Sequence, residues 1–222
     1  MNTQASMMKQ TVAQWDALIR QLSHITKNFP PTLSEVVVQE HGKNAYLILI
    51  SCLLSLRAKD TTTIPICRTL FQHAPTPHEL LALPRAELER IIYKTGFYRR
   101  KAATLIAVTE TLLAQHGGSV PRSYDALRAL PGVGEKTANL VLACAFDIPA
   151  LCVDTHVHRI SNLWGLVHTR TPEQTHTALR LIVPEQHWII LNTLLVKLGQ
   201  NTSRATITEF WEKYTSCDTL PT

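Results

Sequence analysis

The run Ala45 to Leu56 (AYLILISCLLSL) is apolar nearly all round. A helix with apolar residues on every side has no face to give to water, so other elements must enclose it. About a dozen residues are too few to span a bilayer, which takes roughly 20. The run therefore predicts a central core helix. Asn44 is placed to cap its start, and Arg57-Ala58-Lys59-Asp60 breaks its end.

Helices are what the rest of the chain offers to enclose it. Gln14 to Lys27 repeats Trp15, Leu18, Ile19, Leu22 and Ile25 on one side, and Phe29-Pro30-Pro31-Thr32 stops it. Thr61 to His73 forms the next helix after the core run. Thr76-Pro77-His78-Glu79 is a capping box with proline at the first helical position, and Pro84 opens another short helix that ends near Gly96. Arg99 to His116 is longer and closes on Gly117-Gly118. Ser123 caps a short helix to Leu130, and Lys136 to Phe146 follows until Pro149 breaks it. Asp154, Thr171-Pro172-Glu173, Trp188 and Arg204 begin the last four. The one β-branched run, Val36-Val37-Val38 within Glu35 to Glu40, reads as an extended linker. The expected class is all-α, with two helical lobes.

A chain of 222 residues with 45% apolar content folds as a globular protein rather than staying disordered. The formal charge of +5 and pI near 9.0 lean toward a polyanionic partner. Five cysteines without a C-x-x-C pair read as small buried thiols in a reducing cytosol. The first residues carry no signal-peptide pattern, and no membrane association is expected.

The chemistry concentrates in Leu130-Pro131-Gly132-Val133-Gly134-Glu135-Lys136-Thr137-Ala138-Asn139, followed by Val153-Asp154-Thr155-His156. Leu127 to Leu142 fits a helix-hairpin-helix. Gly132 and Gly134 let backbone approach a phosphate, Val133 sits between them, and the start of the second helix supplies N–H donors and a favourable dipole. Such a hairpin grips DNA without reading bases. Lys136 occupies a first turn where helix electrostatics prefer Asp or Glu, and the same field would favour its neutral, nucleophilic amine. Asp154 reads either as an N-cap or as a carboxylate partner to that lysine.

Leu130 to Asn139 and Val153 to Arg159 resemble the signature of the helix-hairpin-helix, Gly/Pro-rich loop and aspartate (HhH-GPD) superfamily of DNA glycosylases, and within it the endonuclease III group. The likeness runs from about Tyr46 to Gly199 through Leu53-Leu54-Ser55 with Asp60, Thr95-Gly96-Phe97-Tyr98 with Lys101-Ala102, and His116 to Pro121. It implies a DNA-binding cleft between the lobes with Lys136 and Asp154 at its mouth. Lys136 would be a Schiff-base nucleophile and Asp154 the catalytic aspartate of a bifunctional glycosylase and AP lyase. Arg57 would fill the gap left by a flipped base, and Phe97 would wedge between bases, with core packing as its alternative. Arg99, Arg100 and Lys101 would contact phosphate or merely solubilise a helix start, Lys59 would add a cation beside the gap filler, and His156 would orient the site or be an ordinary helix-start residue.

The likeness further implies residues 1–43 and 146–222 in one discontinuous lobe, and a six-helix lobe over 44–145 carrying the hairpin at about 124–142. The expected partner is double-stranded DNA with a damaged base or abasic site, met by a cytoplasmic, nucleoid-associated monomer. Oxidised pyrimidines are the leading substrate. The alternatives are an 8-oxoguanine glycosylase/lyase or a DNA-binding protein without catalysis. One departure concerns the family's [4Fe–4S] loop, which takes four cysteines. Its first cysteine falls near Ser203 here, and after Leu198-Gly199 only Cys217 remains. No cofactor and no metal ligand is therefore expected, with Arg204 to Tyr214 closing the lobe instead. A smaller departure is Asp147, where the loop usually has glycine.

Overall fold

The computed structural model describes residues 11–216; Cys217 and the residues read for a leader lie outside them. The elements are α1 (Val12–Thr26), α2 (Leu33–His41), α3 (Ala45–Ser55), α4 (Asp60–His73), α5 (Pro77–Ala82), α6 (Arg85–Ile92), α7 (Tyr98–His116), α8 (Tyr124–Ala129), α9 (Glu135–Phe146), α10 (Thr155–Leu163), α11 (Pro172–Leu179), α12 (Trp188–Asn201) and α13 (Arg204–Thr215). Short 3-10 turns occupy Tyr93–Thr95 and Glu185–His187. No strand occurs among the described residues, so the all-α expectation holds. Among them, too, no helix is long and apolar enough to cross a membrane. The chain divides into two compact units, one of residues 31–148 and one joining residues up to 30 with those from 149 onward.

The contiguous unit is built around α3. Every residue from Tyr46 to Leu54 is buried, and α2, α4, α7 and α9 pack against it. Each fully buried Leu or Ile contributes roughly 1.5–3 kcal/mol relative to exposure, so this one helix supplies a large share of the unit's stability. The polar end of Tyr46 is not wasted inside: its hydroxyl lies 3.1 Å from the Thr109 hydroxyl of α7. At the start of α3, the Asn44 side chain accepts from the N–H groups of Tyr46 and Leu47.

The extended linker expected at Glu35 to Glu40 is instead the body of α2. Thr32 and Glu35 form a reciprocal capping box, with the Thr32 N–H donating to Glu35 at 2.8 Å. Leu33, Val36 and Val37 are buried, and burial on one helical face outweighs the modest β-preference of valine. The Leu33 N–H donates to Asp60 Oδ2 at 3.0 Å, which ties α2 to the start of α4. These contacts place residues 31–43 in the contiguous unit rather than with the terminal helices. Residues 146–148 join it as well: Asp147 ends α9 in the left-handed conformation usual for glycine, and its carboxylate pairs with Lys43. Between residues 44 and 145 the described chain has seven α-helices, α3 to α9, not the six expected.

In the discontinuous unit α1 packs on α12, and α10 on both α11 and α12. The α13 helix supplies the closing apolar surface expected of Arg204 to Tyr214. Trp164 stacks on Trp211 at 4.8 Å and donates its Nε1–H to the Ile207 carbonyl at 3.1 Å. The Tyr214 hydroxyl donates to the Gln14 carbonyl of α1 at 2.7 Å. Ile207 is fully buried in this cluster. Replacing it by alanine is expected to destabilise the protein by about 2–5 kcal/mol, read from the urea unfolding midpoint.

Candidate functional site

The hairpin lies wholly within the contiguous unit, as α8, the turn Leu130 to Gly134, and α9. Gly132 holds φ at +75°, and a Cβ there would sit 2.4 Å from Cγ2 of Thr104 on α7. Glycine is thus required twice over, by backbone conformation and by the close passage of α7. Val133 is buried, and its carbonyl accepts from Arg128 Nη1 at 2.8 Å, so the turn is held from both sides. Gly134 is the N-cap of α9 and brings no side chain to cover the helix start. Lys136 follows in the first turn, half-buried. It lies near Cys52 of α3: burial pushes that thiol up to about 12, while the Lys136 charge pulls the other way.

Two further predicted residues meet the hairpin around one cavity. Leu53, Leu56, Arg57, Phe97, Arg100, Lys101, Thr104 and Gly132 line a space of about 380 Å³. Arg57 and Phe97 both adopt left-handed backbone, at φ 56° and 48°, without being glycine. Such residues are strained by about 1–3 kcal/mol each and persist where surrounding contacts over-determine them. Phe97 is 66% exposed, which excludes core packing as its role. The Arg57 guanidinium lies 6.0 Å from its ring centre. Arg99 is exposed beside it and sits over Tyr98 at 5.4 Å, and Tyr98 in turn contacts Tyr93 at 4.9 Å. Lys59 is an exposed N-cap residue of α4 whose side chain caps nothing.

Lys101 differs from the surface cation expected of it. It is buried, and its ammonium donates to the carbonyls of Leu54 at 2.7 Å and Thr95 at 2.9 Å. Burial lowers its pKa from 10.5 to about 8. The sequence carried a signal for this. Lys101 falls on the stripe that α7 buries with Leu105, Val108 and Leu112, a position where a lysine must find partners.

Asp154 and His156 belong to the other unit. Asp154 is the N-cap of α10, with Oδ1 accepting from the N–H groups of His156 and Val157 at 2.9 Å each. The His156 ring packs against Gly199 of α12, where an added Cβ would lie 2.3 Å from Nδ1. Arg159 donates to the Gly199 carbonyl at 3.3 Å, so α10 and α12 approach closely here. Among the described residues no group of three or more His, Cys, Asp or Glu is placed to hold a metal ion.

A family model for HhH-GPD superfamily base excision DNA repair proteins matches residues 50–185. Endonuclease III of Thermotoga maritima is 42% identical over 176 residues, covering 79% of both chains. Endonuclease III of Bacillus subtilis is 35% identical over 181 residues, 81% of this chain and 80% of that one. Among solved structures, a non-covalent endonuclease III–DNA complex superposes with a TM-score of 0.76 at 31% identity, covering 88% of each chain.

Two outcomes test the geometry. Gly132→Ala is expected to cost about 1–3 kcal/mol, part of it recovered by Thr104→Ser, which removes the clashing methyl. For Lys101 the folded chain releases its proton near pH 8, while the unfolded chain keeps it to 10.5. Across that window the unfolded state binds more protons, so stability rises with pH. Urea unfolding at pH values on either side of the folded pKa should show the wild type gaining on Lys101→Met as pH rises.

Proposed function

Because the chain belongs to the HhH-GPD superfamily of base excision DNA repair proteins, we propose that it flips oxidised pyrimidines out of duplex DNA, excises them and nicks the strand. It is a base-excision-repair DNA glycosylase and AP lyase of the endonuclease III kind. The observation that carries the finer reading is the hairpin itself: a turn built so that only glycine fits at 132, opening a helix whose first turn holds Lys136.

The chemistry then runs through this chain's own groups. A base inside the stack is out of reach, so the nucleotide leaves the helix. The hairpin turn and the start of α9 hold the phosphates of the damaged strand, Phe97 wedges into the stack, and Arg57 occupies the gap. As the glycosidic bond lengthens, positive charge grows on the sugar, and the Asp154 carboxylate stabilises it. The neutral amine of Lys136 attacks C1′. The bonding electrons leave with the base, which takes up a proton, and the sugar ring opens to an imine. The imine acidifies the C2′ proton; its loss expels the 3′ phosphate and breaks the strand. Water then releases the lysine. Gly134, Lys59 and Arg99 add backbone or charge contacts, and His156 holds the Asp154 turn against α12.

We further propose that no [4Fe–4S] cluster accompanies this site. Such a cluster takes four thiolates. Ser203 serves as the N-cap of α13, the Arg204–Thr215 stretch is helix without cysteine, and only Cys217 follows. Cys52 and Cys67 lie in other helices, Cys144 is on α9 and Cys152 lies before α10. Burial raises the pKa values of Cys52, Cys67 and Cys144. These residues do not fit a cluster. We propose a monomer that works on DNA in the cytoplasm, at the nucleoid.

Duplexes carrying thymine glycol, 8-oxoguanine or an abasic site, incubated with borohydride, test the reading. A covalent adduct is expected on thymine glycol and the abasic site, and it should vanish in Lys136→Ala. Trapping on 8-oxoguanine instead would move the substrate to an oxidised purine; no adduct on any duplex would leave a DNA-binding protein. Asp154→Asn separates two roles of one residue. Asparagine caps a helix as well as aspartate does, so the melting temperature should hold while kcat falls on the order of 10²–10³-fold. The purified protein should be colourless, with no broad absorbance near 400 nm, which is where a roughly typical cluster absorbs.

A further inference from the structure

We propose that Lys101 is a positioning residue that ties the Arg57 turn and the Phe97 turn into one rigid DNA-penetrating insert. Two bonds made by its side chain support it, beside the ordinary helical bond of its backbone. Its backbone N–H donates to the Phe97 carbonyl at 3.0 Å. Its ammonium donates to the Thr95 carbonyl, two residues before Phe97, at 2.9 Å, and to the Leu54 carbonyl, three residues before Arg57, at 2.7 Å. The Leu54 carbonyl belongs to the last turn of α3, where helix carbonyls have no partner further along the helix. The two turns are far apart in sequence, and each carries a left-handed residue that is not glycine. One side chain fastens both.

The need for such a fastening follows from the task assigned to the insert. A wedge entering stacked bases is pushed sideways, and a loose loop would also lose conformational freedom on binding. Neither exposed side chain fixes the other strongly, since Arg57 approaches the Phe97 ring only at 6.0 Å. Lys101 reaches both turns from beneath, on the helix that also supplies Thr104 to the hairpin glycine. The cavity of about 380 Å³ is then a shaped recess whose lining comes from three separate turns, the end of α3 and α7. Lysine suits the place because it offers three donors on a flexible stem and needs no acceptor of its own. Lys101 touches no reacting atom, so its influence passes entirely through Arg57 and Phe97.

The proposal rests on the glycosylase reading above, and the test keeps the two apart. Wild-type trapping on an abasic site in single-stranded DNA, which needs no wedge, tests that reading alone. Lys101→Met keeps the stem and removes the donors. Its excision rate on a duplex lesion should fall on the order of tenfold to a hundredfold more than its nicking of the single-stranded abasic site. Base flipping, read from 2-aminopurine fluorescence beside the lesion, should fall with it. In a double-mutant cycle the loss should largely disappear once Phe97 is already alanine. Equal losses on both substrates, or losses that add fully to those of Phe97→Ala, would make Lys101 a structural residue only and overturn the proposal. Undiminished duplex excision by folded Lys101→Met would overturn it as well. Should the Met variant not fold, Lys101→Gln, which shortens the reach, is put through the same comparison with the same outcomes.

Discussion

A helix with no exposed face can exist only inside a shell, and α3 makes that demand on the whole contiguous unit. Burial from Tyr46 to Leu54 forces α2, α4, α7 and α9 around it. Two of these carry residues of the candidate site. The α9 helix presents Lys136 in its first turn, close enough to α3 for its charge to be felt by Cys52. The α7 helix brings Thr104 against Gly132 and Lys101 against the carbonyl end of α3. The same burial that stabilises the unit therefore fixes the hairpin, the Arg57 turn and the Phe97 turn with respect to one another.

The discontinuous unit solves a different problem. Its helices come from both ends of the chain and must be closed by contacts across a long sequence separation. Trp164 stacking on Trp211 and the Tyr214 bond to the Gln14 carbonyl do so with aromatic surface and two hydrogen-bonded polar tips. The α13 helix thus closes this unit with Ile207 and Tyr214 buried in its core. Asp154 stands at the start of α10 on this platform. A carboxylate that accepts two backbone N–H bonds is held in one orientation, which is what an electrostatic role asks of it.

Local signals in the sequence were legible where they involved neighbours in the chain. Asn44, Thr76, Ser123, Asp154 and Thr171 all cap the helices assigned to them. The miss at α2 came from weighing three valines as β-formers over the Thr32-x-x-Glu35 capping box immediately before them. That box was present in the sequence, and burial of Val36 and Val37 decided the outcome. Reading Lys101 with Arg99 and Arg100 as one basic run failed for a related reason. Three adjacent cations point in three directions on a helix, and one of them points into the core.

By itself the sequence determined the helical class, the caps, the glycine turn and the lysine placed just after it, because each depends on residues within one or two helical turns. Tertiary structure alone decided which long-range partners those residues meet. Gly132 is favoured because Thr104 lies 2.4 Å from where its Cβ would be, and Lys101 is buried because the carbonyls of Leu54 and Thr95 receive it. Such pairings join segments tens of residues apart, and they are fixed by how helices pack around α3, not by any local preference of the chain.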